Sequence, residues 1–451
     1  MLQASLVRKQ KAVIQQLEDS SKQADQVYHF LSNPRVSQAE LIKMNCSVKP
    51  EVLAGRHVLV IGDSTSFNLS KHQGRIQDTD SFGVLNDNKT LGFHSHIQLV
   101  VDAQKEEVLG LADIIHWVRS KSDKQKAGAA ETRSWQEKES YKWALGASNA
   151  QKVLQSTGRC TFLFDREADD FQLFDHLIWK QRADFIIRSD HNRRVQWDEQ
   201  ALLVQECLDR SPAVGTYEVD LPALDHYSWT SGKRIRRKAR RATFELRYES
   251  VEVLPPKGIK AHGSIKLWMV EAREITDSLP VGEKPVVWRL WTTHPIQNAE
   301  QARQIVHYYT LRWIIEQLFS TIKKKGFDIE ATQLETYDAI LRQTTMVIKA
   351  ACKVLQLTYA RNRPDCQPTS EVFEQQEQQV LQQVNERLQG NTAKQKNPFP
   401  QDRLSWASWI IARLGGWKGY QSQKPPGPIT MKNGLDRFAI YMEAFELFNS
   451  S

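Results

Sequence analysis

Short apolar runs bounded by polar residues recur through the first half of the chain. Residues 58–61, Val-Leu-Val-Ile, are the kind of run expected of a strand buried on both faces. Residues 97–101 and 108–112 read as two more strands, and 161–164 and 185–188 as a fourth and fifth. Helical patterning covers about 138–154 and 167–182. Three strands, a helix, a strand, a helix and a strand predict a mixed α/β core. The stretch ahead of it, 1–50, reads as polar helix, with Ser37 and Glu40 spaced as a capping box.

From about 190 to 285 the period changes. Segments 215–221 and 242–248 alternate apolar and polar residues, as half-buried strands do, and Pro255-Pro-Lys-Gly258 marks a turn. This predicts a β-rich insertion. Helical patterning then runs from 298 to about 360. The Gln-rich tract at 374–389 keeps Val380, Leu381, Val384 and Leu388 at helical spacing and reads as an amphipathic helix rather than low complexity. Pro398 and Pro400 make a linker before a last helical region that contains 406–416.

Composition narrows the function classes. With 451 residues, 40% hydrophobic and 25% charged, the chain can bury real cores. No run of 18 apolar residues occurs, so no membrane span is expected, and the first ten residues lack the apolar core of a secretory signal. The five cysteines form no Cys-x-x-Cys pair, which argues for reduced thiols in a cytoplasmic protein. The net charge of +8 is concentrated: seven of the cations lie in 233–241, Lys-Arg-Ile-Arg-Arg-Lys-Ala-Arg-Arg. Such a block either solvates a loop or meets an anion such as DNA.

Candidate chemistry rests on acids. Asp63 follows the run 58–61 and Asp165 follows 161–164. A carboxylate at the end of a buried strand is held rigidly, and two such strands side by side would offer oxygen ligands to Mg²⁺. The competing use is a helix N-cap. Further on, at about 100° per residue, Tyr309, Arg312, Glu316 and Lys323 fall near 0°, 300°, 340° and 320°, one stripe of a helix. Leu311, Ile315, Leu318, Phe319 and Ile322 take the opposite, core-facing side. An aromatic, two cations and one carboxylate suit a phosphodiester beside a metal. An ordinary solvated face with an Arg312–Glu316 pair is the alternative.

Together these pieces resemble the DDE transposases of bacterial insertion sequences that carry the signature Tyr-x2-Arg-x3-Glu-x6-Lys. Tyr309-x2-Arg312-x3-Glu316-x6-Lys323 fits it without a gap, Asp-Arg-Glu-Ala-Asp at 165–169 resembles the second-aspartate motif, and Asp63-Ser-Thr-Ser the first. Segments 138–143 and 412–417 also resemble family sequence, and the likeness runs from about Tyr28 onward. Within that family the likeness is to transposases that move by cut-and-paste through a DNA hairpin.

The resemblance implies an α/β fold: a ribonuclease H-like mixed-sheet core (53–189 and 286–365) interrupted by the β-rich insertion (190–285). Helical regions flank it at 1–52, the DNA-binding part, and 366–451, the dimerisation part. It implies that Asp63, Asp165 and Glu316 hold two Mg²⁺ ions, with Mn²⁺ able to substitute. It further implies that Tyr309, Arg312 and Lys323 grip DNA phosphates, that Trp288 stacks on a flipped base, and that Arg188 lies near the DNA end. A core tryptophan on a strand is the competing reading of Trp288. The partners implied are double-stranded DNA (terminal inverted repeats and target) and a second copy of the chain, in a cytoplasmic, nucleoid-associated setting without a membrane. Residues 406–416 could serve the dimer contact or core packing. Relatives carry several dozen more residues before the segment like Tyr28–Pro34. That difference raises a second expectation, a shortened inhibitor that dimerises with a longer transposase. A third is another metal-dependent nuclease on the same fold.

Overall fold

A computed structural model describes residues 21–449 except 73, 78, 88, 120–132, 222, 229–232, 260, 276–278, 281–282, 325, 393–394 and 421–422. The helix expected over residues 1–20 lies outside the described residues. The contacts divide the chain into two units: Met1–Cys160 with Trp313–Ser451, and Thr161–Arg312.

The first unit opens with helices α1 (Ser21–Ser32), α2 (Gln38–Asn45) and α3 (Pro50–Leu53). Ser37 caps α2 by accepting the Glu40 N–H, as its spacing predicts. Strands β1 (His57–Asn68), β2 (Gly83–Val84), β3 (Leu91–Asp102) and β4 (Val108–Trp117) follow, then helix α4 (Tyr141–Val153). β1 pairs antiparallel with β3 from Val58↔Asp102 to Asn68↔Gly92, and β2 and β4 add to the other edge of β3. Every residue of β3 is buried.

The second unit begins with β5 (Arg159–Phe164), α5 (Phe171–Asp175) and β6 (Asp184–Arg188). After these come β7 (Arg194–Trp197), β8 (Gln200–Leu203), α6 (Val204–Arg210), β9 (Gly215–Leu221), β10 (Leu224–Ser228), β11 (Lys233–Arg237), β12 (Arg240–Val253), β13 (Ile265–Glu274), β14 (Val287–Thr292) and α7 (Ala299–Thr310). β5 and β6 run parallel, β14 pairs antiparallel with β6, and β13 and β12 extend the sheet. The strands read as an insertion are therefore continuous with β6 through β14. β7 and β9 both pair with β12, and β10–β11 form a separate two-stranded ribbon. Helix α7 packs on β12, β13 and β14, and Ala302, Ile305 and Val306 are among its buried residues.

The chain then completes the first unit with α8 (Trp313–Lys323), α9 (Tyr337–Ala360), α10 (Gln375–Leu388), α11 (Leu404–Leu414) and α12 (Pro428–Asn449). α9 is the axis of this unit, touching β4, α8, α1, α2, α11 and α12. His96, opposite Ile115, meets Trp143 of α4, while His116, opposite Ser95, meets Thr345 of α9. Neighbouring positions on a strand face opposite sides, so α4 and α9 cover the two faces of the sheet.

Three expectations change and one alternative is decided. The helix expected over 167–182 is a 3₁₀ turn at Arg166–Ala168, then α5 and a π turn at His176–Lys180. Asp165 and Asp170 each cap a separate start, accepting the Glu167 and Gln172 N–H groups, and so divide it. The helix from 298 is interrupted at 311–312, where Leu311 and Arg312 donate N–H groups to Tyr308 and Tyr309 carbonyls three residues back. The basic block is not a loop tip: Lys233–Arg237 is strand β11 in register with β10, and Arg240 and Arg241 open β12. The side chains of Lys233 and Ile235 lie outside the described residues. Finally, of the two uses left open for 406–416, core packing is the one seen, with Trp406, Trp409, Ile410 and Ile411 buried in α11.

Candidate active site

The sequence places Asp63 just beyond its strand. It stands instead within the twelve-residue β1, half-buried, opposite Ile97, because the polar Ser64-Thr65-Ser66 continues the pairing with β3. Its Oδ1 accepts the Ser64 N–H at 2.7 Å. The adjacent positions, Ser64 and Ser66, turn to the α4 side. There their hydroxyls meet His96 Nδ1 and His94 Nδ1, each at 3.0 Å. Gln98 meets His96 Nε2 at 2.9 Å. A methyl at Gly146 of α4 would come within 2.6 Å of Gln98 Nε2, so the helix approaches this polar row because residue 146 is glycine. Burial pushes the His94 imidazole down to about 4 and His96 well below its ordinary value, which keeps both neutral at pH 7. No motif points to this row, although Ser64/Ser66 and His94/His96 alternate along their strands.

In the same unit, α8 packs on β1. Its core face is Ile315, Leu318, Phe319 and Ile322, as the periodicity predicts. Glu316 lies half-buried in the first turn. Lys323 holds its Nζ 5.4 Å from the centre of the Phe67 ring of β1. Burial pushes the Lys323 ammonium down from its usual range, opposed by the charges of Glu330 and Glu316. Glu316 and Lys323 thus act on one another electrostatically.

The second unit collects a complementary set. Asp165 ends β5 and caps the following turn, its Oδ1 accepting the Glu167 N–H at 2.9 Å. The N-cap reading of that residue is therefore met, and its carboxylate stands at the end of a buried strand. Tyr309, 8% exposed, closes α7. Its hydroxyl is raised above its ordinary pKa by burial; Arg312 and Arg188 oppose the shift and Asp165 adds to it. One phenol, one carboxylate and two guanidiniums therefore share a neighbourhood within this unit. Arg188 reaches it from the end of β6.

The single stripe expected of Tyr309, Arg312, Glu316 and Lys323 is divided by the turn at 311–312. Tyr309 and Arg312 stand in the second unit, Glu316 and Lys323 in the first. Trp288 makes different contacts: it is half-buried on β14 and stacks on Phe244 of β12 with ring centres 5.2 Å apart and planes 16° apart. Within either unit, the described residues hold no group of three or more His, Cys, Asp or Glu side chains placed to bind a metal ion. Two residues with no sequence assignment, Asp169 and Arg193, form a buried pair beside the Asp165 turn. The only sequence signal for it is the last acid of Asp-Arg-Glu-Ala-Asp.

Compared with known families, the chain matches the model described as transposase DDE domain over residues 55–352.

Proposed function

Since the chain belongs to the transposase DDE-domain family, a family of enzymes that use divalent metals, we propose that it cleaves and transfers DNA strands at the ends of its own insertion sequence. What supports this reading most is a placement within the second unit: Asp165 and Arg188 directly follow Phe164 and Ile187, partners in the parallel strands β5 and β6, and Tyr309 and Arg312 adjoin at the end of α7. A carboxylate beside two guanidiniums and a phenol is the set expected where a phosphodiester is held at a metal.

In this reading Asp63, Asp165 and Glu316 are the metal ligands. Three carboxylates are hard oxygen donors of the type Mg²⁺ takes, with Mn²⁺ a natural substitute. Two ions held by them would activate a water or DNA 3′-hydroxyl and stabilise the leaving oxygen. The protein's own part is to hold the DNA. Arg312 and Arg188 offer planar forks to phosphate oxygens, Lys323 a compact positive charge, and the Tyr309 hydroxyl stays protonated as a donor. Trp288 takes a flipped terminal base against its ring in a hairpin-forming pathway, with Phe244 as backing. The fold is a ribonuclease H-like core over 53–189 and 286–365, with 190–285 extending its sheet. The active form is a homodimer on double-stranded DNA, with the C-terminal region supplying the contact. Leu447 and Phe448 of α12, 78% and 82% exposed, are the most exposed of several apolar side chains available there, with Ile429, Ile440 and Tyr441 on the same helix.

The test is direct. Asp63→Ala, Asp165→Ala and Glu316→Ala should each abolish nicking of an end-bearing duplex in Mg²⁺ while leaving the thermal unfolding midpoint near wild type. Any variant that nicks normally removes its residue from the site.

A further inference from the structure

Asp169 lies four residues beyond Asp165, its side chain fully buried, and the chemistry proposed above gives it no task. Its Oδ2 accepts the N–H groups of Asp190 at 2.7 Å and His191 at 2.8 Å. Its Oδ1 accepts Arg193 Nε at 2.7 Å, and Arg193 also donates to the Asp169 carbonyl. Ser189 adds a longer hydroxyl contact to Oδ2 at 3.5 Å. Arg193 is itself only 10% exposed, and its guanidinium lies 5.4 Å from the centre of the Phe174 ring of α5. The segment so gripped, 189–193, begins at the residue after Arg188. Both ends of the grip lie in the second unit, one in the turn that starts at Asp165 and the other where β6 ends.

A buried carboxylate needs donors for its lone pairs. Here those donors come from the backbone that carries Arg188 out of the sheet, so satisfying the acid also fixes the direction of that chain. We propose that Asp169, with Arg193, is a positioning residue: it locks 189–193 against the Asp165 turn and so aims Arg188 at the DNA phosphate beside Asp165. The proposal rests on the reading of Asp165 and Arg188 given above.

The salt dependence of DNA binding separates positioning from mere stability. The full chain is titrated with one fixed duplex over a range of salt, as wild type, Arg188→Gln, Asp169→Asn and the double variant. Releasing one phosphate lowers the slope of log affinity against log salt by about 0.9. Arg188→Gln should show that decrease, Asp169→Asn should match it while remaining folded, and the double variant should fall no further than either single. A folded Asp169→Asn with the wild-type slope, or decreases that add in the double variant, overturns the proposal. If Asp169→Asn fails to fold, Arg193→Lys keeps the charge but not the Nε contact and is held to the same outcomes. An unchanged slope for Arg188→Gln itself would remove the DNA role of Arg188, and the positioning role with it. That single variant distinguishes the two failures.

Discussion

Between positions 165 and 170, three aspartates divide between two tasks according to the donors each can reach. Asp165 and Asp170 accept N–H groups two residues ahead and start separate turns, whereas Asp169 is turned inward onto Arg193 and the chain at 190–191. The sequence makes the first of these a candidate because it follows an apolar run. It cannot assign Asp169, whose partners come from a segment more than twenty residues away. Two groups in the first unit carry pH predictions. Burial pushes the His116 imidazole down to about 3. A base with a depressed folded pKa leaves stability intact above its unfolded value near 6.5. It costs about 1.4 kcal/mol per pH unit below that value, as the unfolded chain takes up the proton first. Wild type should therefore weaken relative to His116→Gln in urea as pH falls from 6.5 to 4.5, and a difference that stays constant would refute it. Asp113 moves the other way. Burial pushes it up to about 6, partly offset by the Asn149 amide donating at 3.1 Å. An acid with a raised folded pKa is a penalty that grows from about pH 4 and is complete above 6. Asp113→Asn should then stabilise by roughly 2 kcal/mol at pH 8 and by little at pH 4. Melts of both proteins at the two pH values decide it.

Elements are legible where hydrophobic period alone specifies them. Every apolar run read as a strand lies in one, and the Gln-rich tract is helix α10 because Val380, Leu381 and Val384 are buried together. Three features escape that signal. β1 runs on through Ser64-Thr65-Ser66 because cross-strand pairing with β3 and the histidines opposite compensate for the missing apolar residues. The helix break at 311–312 leaves the period of Tyr308 through Ile322 unbroken, so periodicity is blind to it. The basic strand β11 has almost no apolar residue to announce it. The α11–α12 contact shows how magnitude decides a sign. A methyl at Gly434 of α12 would run into the Ile411 carbonyl of α11, a backbone atom that cannot rotate away. Alanine gains about 1 kcal/mol of helix propensity over glycine. Overpacking costs about 1–3 kcal/mol and is expected near its upper end against backbone. Gly434→Ala should therefore lower stability by about 1–2 kcal/mol in denaturant unfolding; a gain would show that the two helices do not meet there.

At the scale of the whole molecule, the crossings between units at 160/161 and 312/313 leave no mark in the sequence. The first falls inside β5 and the second inside a continuous helical period, so the segments preceding and following them share one local pattern. Charge is where the sequence says most and the structure adds most. Seven of the cations behind the net +8 lie in 233–241, and the sequence presents them as a single block. The structure divides it. Arg240 is held by Glu274, whose side chain is fully buried, and by Glu283 at 3.3 Å; Arg241 pairs with Glu218 at 2.5 Å on the surface. Arg234, Arg236 and Lys238 are exposed on and beside the β10–β11 ribbon. A two-stranded ribbon with exposed cations is a shape that can follow a DNA groove. Replacing those three with Gln should weaken binding to any duplex sequence and flatten the salt slope by about 0.9 for each phosphate released. Arg240→Gln should do the reverse, leaving the slope near wild type while costing about 3 kcal/mol of folding stability by stranding a buried carboxylate. Arg241→Gln should change stability by less than about 1 kcal/mol, as exposed pairs do. Salt titrations and denaturant unfolding on the same preparations separate the two classes. A triple variant with an unchanged slope would mean that the ribbon does not touch DNA, whatever its charge.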